Sequence, residues 1–195
     1  MKKRILNLPN KLTIFRVCLI PFFLILYLYD RVYLWDNGIC ALMVFIIASI
    51  TDGIDGYIAR KRNLVTEFGK LMDPLADKLL VCSALVAMSS KGVIPAWVSI
   101  LIISREFIIT GLRQLAVERG IVLSASIWGK VKTIFHMSMI IFLTINWPEM
   151  FFYKYIPDIF FDVIKWFLIY SAAVLTIISA ADYIIKNKRF MDEGQ

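Results

Sequence analysis

Asp52-Gly53-Ile54-Asp55-Gly56-Tyr57-Ile58-Ala59-Arg60, then eight residues, then Gly69-Lys70-Leu71-Met72-Asp73-Pro74-Leu75-Ala76-Asp77 set four carboxylates within 26 residues. Apolar runs precede this stretch (Ala41 to Ile50) and follow it (Leu79 to Met88). Ionisable groups at membrane depth are costly, so their presence points to function. Helical spacing gives them geometry: Asp52 and Asp55 are i,i+3, Asp73 and Asp77 are i,i+4, and each pair shares one helix face. Gly56 and Ala59 follow Asp52 on its face, and Gly69 precedes Asp73 by four on the other. Small residues beside carboxylates leave room for a bulky ligand to approach the backbone.

Four clustered carboxylates repel one another and take up protons unless a counter-charge is supplied. Two divalent cations balance four negative charges, and an all-oxygen set with no Cys or His nearby selects a hard ion, Mg²⁺ or Mn²⁺. Asp52, Asp55, Asp73 and Asp77 are the expected metal ligands, and a carboxylate-held metal pair suits displacement at phosphorus. The bland alternative is an ion-paired hairpin using Arg60, Lys61, Lys70 and Lys78. Structural pairing needs no small residues aligned with the carboxylates.

The 195 residues are 59% hydrophobic with a mean hydropathy of +0.73, the composition of an integral membrane protein. No Gly/Ser/Pro-rich linker interrupts the chain, so one membrane-embedded catalytic domain, 1–195, is expected. The net charge of +7 comes from basic residues flanking apolar spans, which favours an anionic membrane surface over nucleic acid. Cys18, Cys40 and Cys82 are scattered in apolar runs and read as packing residues, neither a disulfide framework nor a metal site. Lys2, Lys3 and Arg4 precede an apolar run as in a signal peptide, but Lys11 and Arg16 interrupt it and no small-residue cleavage site follows. A retained first helix is expected.

The fold expected is all-α, with six transmembrane helices over about 12–29, 38–58, 69–88, 94–115, 127–147 and 159–185. A short amphipathic segment over Met1 to Pro9 lies on the membrane surface. With the N-terminus inside, 18 of the 22 Lys and Arg fall on the cytoplasmic side and 4 (Arg31, Lys91, Lys154, Lys165) outside. That bias puts both termini in the cytoplasm of a multi-pass cell-membrane protein. The polar halves of the first five spans then share the cytoplasmic leaflet, and intramembrane polar groups are tolerated only around a water-filled cavity or paired inside a bundle. The pattern predicts one polar cavity open to the cytoplasmic leaflet. The sixth span has no polar half and is expected to serve packing. A divalent-cation transporter would spread its polar groups through both leaflets or near the midplane, unlike this chain.

Arg105 and Arg113, eight apart, lie near one face and repel unless an anion sits between them, although Glu106 offers Arg105 a partner. Lys130 and Lys132 cannot share a helix face, and Lys130 is expected in the cavity. His136, in an apolar run, reads as a satisfied interior histidine rather than a catalytic one. Asn10 and Thr13 are open to two readings, a helix cap or a ligand contact.

The opening stretch resembles the signature of the CDP-alcohol phosphotransferase family, D-x2-D-G-x2-A-R-x8-G-x3-D-x3-D, and matches all eight fixed positions. Asn7 to Arg16, Ser104 to Arg113 and Gly129 to Thr133 are similar to the branch that makes phosphatidylglycerophosphate. The resemblance implies transfer of a phosphatidyl group from CDP-diacylglycerol to glycerol 3-phosphate, or to another alcohol such as inositol phosphate, serine or phosphatidylglycerol, with release of CMP. It implies Asp77 as the base for the acceptor hydroxyl and a nucleotide site of Asp52, Gly56, Ala59, Arg60 and Gly69, with Asn10 and Thr13 near the nucleotide if they are not a cap. A phosphate-bearing acceptor needs a cationic pocket, which Arg105, Arg113 and Lys130 can supply. Membrane lipids and a homodimeric partner are also implied.

Overall fold

The structure, a computed structural model, describes residues 8–29, 38–61, 67–120, 126–145, 147 and 157–187, and within them not the side chains of 8–10, 52–61, 67–74 and 77. Six α-helices carry the chain: α1 (Leu8–Leu28), α2 (Ile39–Lys61), α3 (Glu67–Ser90), α4 (Ala96–Glu118), α5 (Ile127–Thr144) and α6 (Asp158–Lys186). Among the described residues there is no strand, and each helix covers one of the six expected spans. The largest shift is at α1, which opens at Leu8 rather than Leu12. Asn10 and Thr13 are therefore inside the helix, and neither caps it. Of the expected surface segment, residues 1–7 lie outside the described residues, and Leu8 and Pro9 belong to α1.

The helices fall into two compact units. The first, Met1–Lys91 with Thr144–Met150, holds α1, α2 and α3, and the second, Gly92–Leu143 with Phe151–Gln195, holds α4, α5 and α6. In the first unit α1 packs on both α2 and α3, and α2 on α3. The buried face of α1 is Thr13, Arg16, Ile20, Phe23 and Tyr27, at helical i,i+3/i+4 spacing. Phe23 stacks on Tyr27 (5.8 Å between centroids) and tilts against Phe45 of α2 (5.7 Å). Around Phe45, α2 buries Ala41 and Ala48, and α3 buries Ala76, Ala84 and Ala87. Such small residues bring helix backbones close where dispersion rather than water exclusion must hold helices together. Hydroxyls on α2 are satisfied inside the helix, Ser49 donating to the Phe45 carbonyl (2.8 Å) and Thr51 to that of Ile47 (2.7 Å).

The second unit has its polarity inverted relative to a water-soluble bundle. On α6 the exposed stripe is Ile159, Val163, Phe167, Tyr170, Val174 and Ile177, whereas the buried stripe includes Thr176, Ser179 and Tyr183. Apolar residues outside and polar ones inside suit a helix surrounded by hydrocarbon. Two helices, α6 and the Lys11–Leu28 part of α1, are long and apolar enough throughout to cross a membrane, while α2 and α3 have shorter apolar parts, Ile39–Thr51 and Lys78–Ser90.

Gly38 opens α2 with φ +78°, and a Cβ there would meet the Thr144 carbonyl oxygen at 2.0 Å. Gly92 has φ +71° but open space around it. Gly38→Ala should therefore destabilise by about 3 kcal/mol or more, left-handed strain plus a backbone clash. Gly92→Ala should cost only the strain, about 1–2 kcal/mol. Unfolding of both variants in detergent micelles measures the difference; equal losses would show that the Gly38–Thr144 approach does not constrain the fold.

Candidate active site

The first half of the signature is on α2 and the second on α3, joined by residues 62–66. The side chains of Asp52, Asp55, Gly56, Ala59, Arg60, Gly69, Asp73, Asp77 and Asn10 lie outside the described residues, but their backbone is helical. Helical register locates their positions. On α2 the buried stripe Ala41, Phe45, Ala48 continues at i+4 and i+7 into Asp52 and Asp55. On α3 the buried Ala76, Leu80 and Ala84 share their stripe with positions 73 and 77, since Leu80 is i+7 from Asp73 and i+3 from Asp77. All four aspartate positions thus continue the faces that α2 and α3 bury in the first unit.

The helix α1 adds two polar residues to this unit. It is joined to α2 by a short connection, which makes packed neighbours antiparallel. The Phe23–Phe45 contact then fixes their register. Arg16 lies seven residues before Phe23 and Asp52 seven after Phe45, so the two positions stand at one level. Arg16 has no solvent exposure and Thr13 only 1%. The donor set at the four aspartate positions is carboxylate oxygen only, which fits hard divalent ions.

In the second unit buried cations meet hydroxyls, a ring and a carboxylate from neighbouring helices. Arg105 of α4 donates from Nη2 to the Ser179 hydroxyl of α6 at 2.5 Å, and its Nη1 lies 3.7 Å from Glu106. Glu106 also takes the ammonium of Lys132 from α5. Arg113, one α4 stripe further along, sets its guanidinium over the ring of Tyr183 on α6, 5.6 Å from the centroid. His136 shares a hydrogen bond with Thr176, 2.9 Å from Nε2 to Oγ1. The Thr176 hydroxyl donates its own proton to the Ala172 carbonyl (2.7 Å), so Nε2 must be the protonated nitrogen and the ring is a structural donor. Ser126 caps α5, accepting from the Trp128 amide at 3.2 Å, and its hydroxyl donates to Asp182 of α6, which also pairs with Lys186 at 2.7 Å.

Lys130 is exposed, and Lys132 is buried. The reason is periodicity: Lys132 shares the buried stripe of His136, Met139 and Leu143, and Lys130 lies off it. One sequence expectation changes here. The helix α6 is not a packing element alone, since Thr176, Ser179, Asp182 and Tyr183 hold the polar groups of α4 and α5. Ser, Thr and Tyr barely lower hydropathy, so the helix reads as uniformly apolar, but the 172–176–179–183 spacing in the sequence was a usable signal.

Four aspartate positions on one pair of packed helices suit an enzyme that handles phosphate esters through metal ions. Residues 6–178 match the sequence profile of the CDP-alcohol phosphatidyltransferases. A Bacillus subtilis protein named CDP-diacylglycerol–glycerol-3-phosphate 3-phosphatidyltransferase is 42% identical over 191 residues, covering 93% of this chain and 95% of its own. A Rickettsia felis protein of the same name is 35% identical over 184 residues, covering 94% and 97%. A Mycobacterium tuberculosis protein named probable phosphatidylglycerophosphate synthase is 35% identical over 190 residues, covering 96% and 85%. The chain belongs to the CDP-alcohol phosphatidyltransferase family, as its signature implied, and is an enzyme that transfers phosphatidyl groups.

Removing Glu106 leaves the buried ammonium of Lys132 without its carboxylate. Breaking a buried pair from one side costs about 3–5 kcal/mol, whereas removing both charges costs far less. Glu106→Gln should lower stability by that amount, and adding Lys132→Met should recover most of it. Chemical unfolding of the single and double variants tests this, and a coupling near zero would show that the pair does not hold α4 to α5.

Proposed function

We propose that this chain transfers the phosphatidyl group of CDP-diacylglycerol to glycerol 3-phosphate, giving phosphatidylglycerophosphate and CMP. The carrying observation is the complete signature on α2 and α3, in a chain whose relatives, at 35–42% identity over most of its length, bear that activity in their names. Asp52, Asp55, Asp73 and Asp77 would hold two divalent ions, Mg²⁺ or Mn²⁺. When bound, such ions supply Lewis-acid stabilisation of charge on the diphosphate and on the departing CMP oxygen. Gly56, Ala59 and Gly69 leave room for the cytidine, with Asp52, Arg60, Asn10 and Thr13 beside it. The acceptor hydroxyl attacks the phosphorus that carries the diacylglycerol, the bond to the CMP oxygen breaks, and the hydroxyl proton passes to Asp77. Arg105 and Arg113 hold the acceptor's own phosphate, and Lys130, being exposed, adds attraction for the arriving anion rather than a buried contact.

The six helices span the cell membrane as a single catalytic domain around one polar cavity open to the cytoplasmic leaflet, with both termini cytoplasmic. Charge asymmetry and the outward apolar stripe of α6 support this. Family resemblance supports a homodimer among membrane lipids.

Purified protein given CDP-diacylglycerol and a panel of alcohols should release CMP with glycerol 3-phosphate. A chelator should stop the reaction, Mg²⁺ or Mn²⁺ should restore it, and Asp73→Asn should abolish it with every acceptor. Full turnover in excess chelator would refute the two-metal reading, and CMP release with a different alcohol alone would move the acceptor assignment. Arg113→Ala should raise KM for glycerol 3-phosphate roughly ten- to a hundredfold with little change in kcat, the mark of uniform binding lost. An effect on CDP-diacylglycerol alone would place Arg113 on the donor.

Topology is tested separately. Cysteines introduced near Arg62, Arg119 and Gln195 should resist a membrane-impermeant thiol reagent applied from outside, and one near Lys154 should react. Labelling of the first three from outside would overturn the orientation.

A further inference from the structure

Tyr183 is 2% exposed, and its hydroxyl has no hydrogen-bond partner. Arg105 Nε, on a side chain 10% exposed, also lacks one. Buried polar groups are satisfied with few exceptions, and each exception needs an explanation. Both groups are donors in the same cluster. Ser179 and Tyr183 are one turn apart on the buried stripe of α6; the first holds Arg105 and the second lies under Arg113. Arg105 is within electrostatic reach of Arg113 and of Tyr183. Glu106 is shared between Arg105 and Lys132. Among the described contacts, Arg105 and Lys132 share this one carboxylate, and Arg113 lies within electrostatic reach of Arg105, so positive charge prevails there. Stacking beneath Arg113 requires a ring but not a hydroxyl. A phenylalanine would serve there without burying an unpaired group.

Unpaired donors together with excess positive charge describe a site for a compact dianion, and a phosphate monoester has that charge and accepts from both. We infer that the Tyr183 hydroxyl donates to the phosphate of the acceptor and that Ser179 positions Arg105 to donate to the same anion. The inference rests on the reading of Arg105 and Arg113 as the residues that hold the acceptor's phosphate. It adds to that site a ligand and a positioning residue, both from α6. Ser179 acts through Arg105, fixing Nη2 so that Nε stays free for the anion, and it does not itself touch substrate.

Tyr183→Phe in the full chain, in lipid–detergent micelles, tests the ligand. KM for glycerol 3-phosphate should rise about tenfold, with kcat within about twofold and KM for CDP-diacylglycerol unchanged. The unliganded variant should unfold at the same temperature as the parent or higher, because a buried unpaired hydroxyl has been removed, and added glycerol 3-phosphate should protect it less. An unchanged KM, or a lower unfolding temperature without ligand, would overturn the assignment, the latter because it would reveal a structural partner for the hydroxyl. Ser179→Ala should raise the same KM about fivefold and Ser179→Thr should restore it; an unchanged KM for Ser179→Ala would remove its positioning role. If Arg105→Ala and Arg113→Ala both leave that KM unchanged, the underlying acceptor reading fails. If they raise it and Tyr183→Phe does not, only the role of the hydroxyl fails.

Discussion

A charge buried in a helix bundle needs a partner, and much of the described architecture follows from that requirement. In the second unit Lys132 has Glu106, Arg105 has Ser179 and Glu106, and His136 has Thr176. Each partner comes from a different helix, except that Glu106 also neighbours Arg105 on α4. Without water exclusion as the main glue between helices facing hydrocarbon, such cross-helix contacts do part of the holding. They also explain why α6 turns its oxygen-bearing stripe inward and its Ile, Val and Phe stripe outward. The inversion depends on residues whose polarity is small enough to survive in an apolar run.

The first unit uses different means. Its described interior is aromatic and alanine-rich, with Phe23, Tyr27 and Phe45 as the large contacts and Ala41, Ala48, Ala84 and Ala87 as the close ones. This packing fixes the register of α1 against α2 and, by extension along both helices, puts Arg16 level with Asp52. Alanines on the stripes that lead into the aspartates also hold those stripes narrow. A narrow helix contact suits the proposed site, because the carboxylate of Asp is attached directly to Cβ and reaches only a short way from its helix.

Helices were legible in the sequence because apolar runs of about the length of a bilayer leave few other options. Their ends were less so: α1 is already helical at Leu8, ahead of the apolar run expected to begin at Leu12. The family was legible because eight spaced positions rarely coincide by chance. The polar partners were not. Whether Lys130 or Lys132 faces inward depends on which stripe of α5 meets its neighbours, and two residues of offset decide it. The role of α6 was hidden by a hydropathy average that treats Thr176, Ser179 and Tyr183 as nearly neutral. A periodicity test on the weakly polar residues of that span would have exposed them.

On the proposed reaction the donor and the acceptor pose different electrostatic problems. The donor brings a diphosphate and the acceptor a phosphate monoester, so the reactants repel as they approach. Cations must be supplied for both, but not in the same form. At the diphosphate the charge shifts during the reaction, from the bond that breaks to the oxygen that leaves, and the hard ions that Asp52, Asp55, Asp73 and Asp77 would hold would supply Lewis-acid stabilisation there. At the acceptor's phosphate the charge stays constant, so rigid donors suffice. Arginines held by a hydroxyl and by an aromatic ring are such donors, and their planar forks lose little freedom on binding. Exchange of the two solutions would fail on both counts: carboxylates bare of metal repel the acceptor, and fixed arginines at the reacting phosphorus hold the ground state as tightly as the transition state.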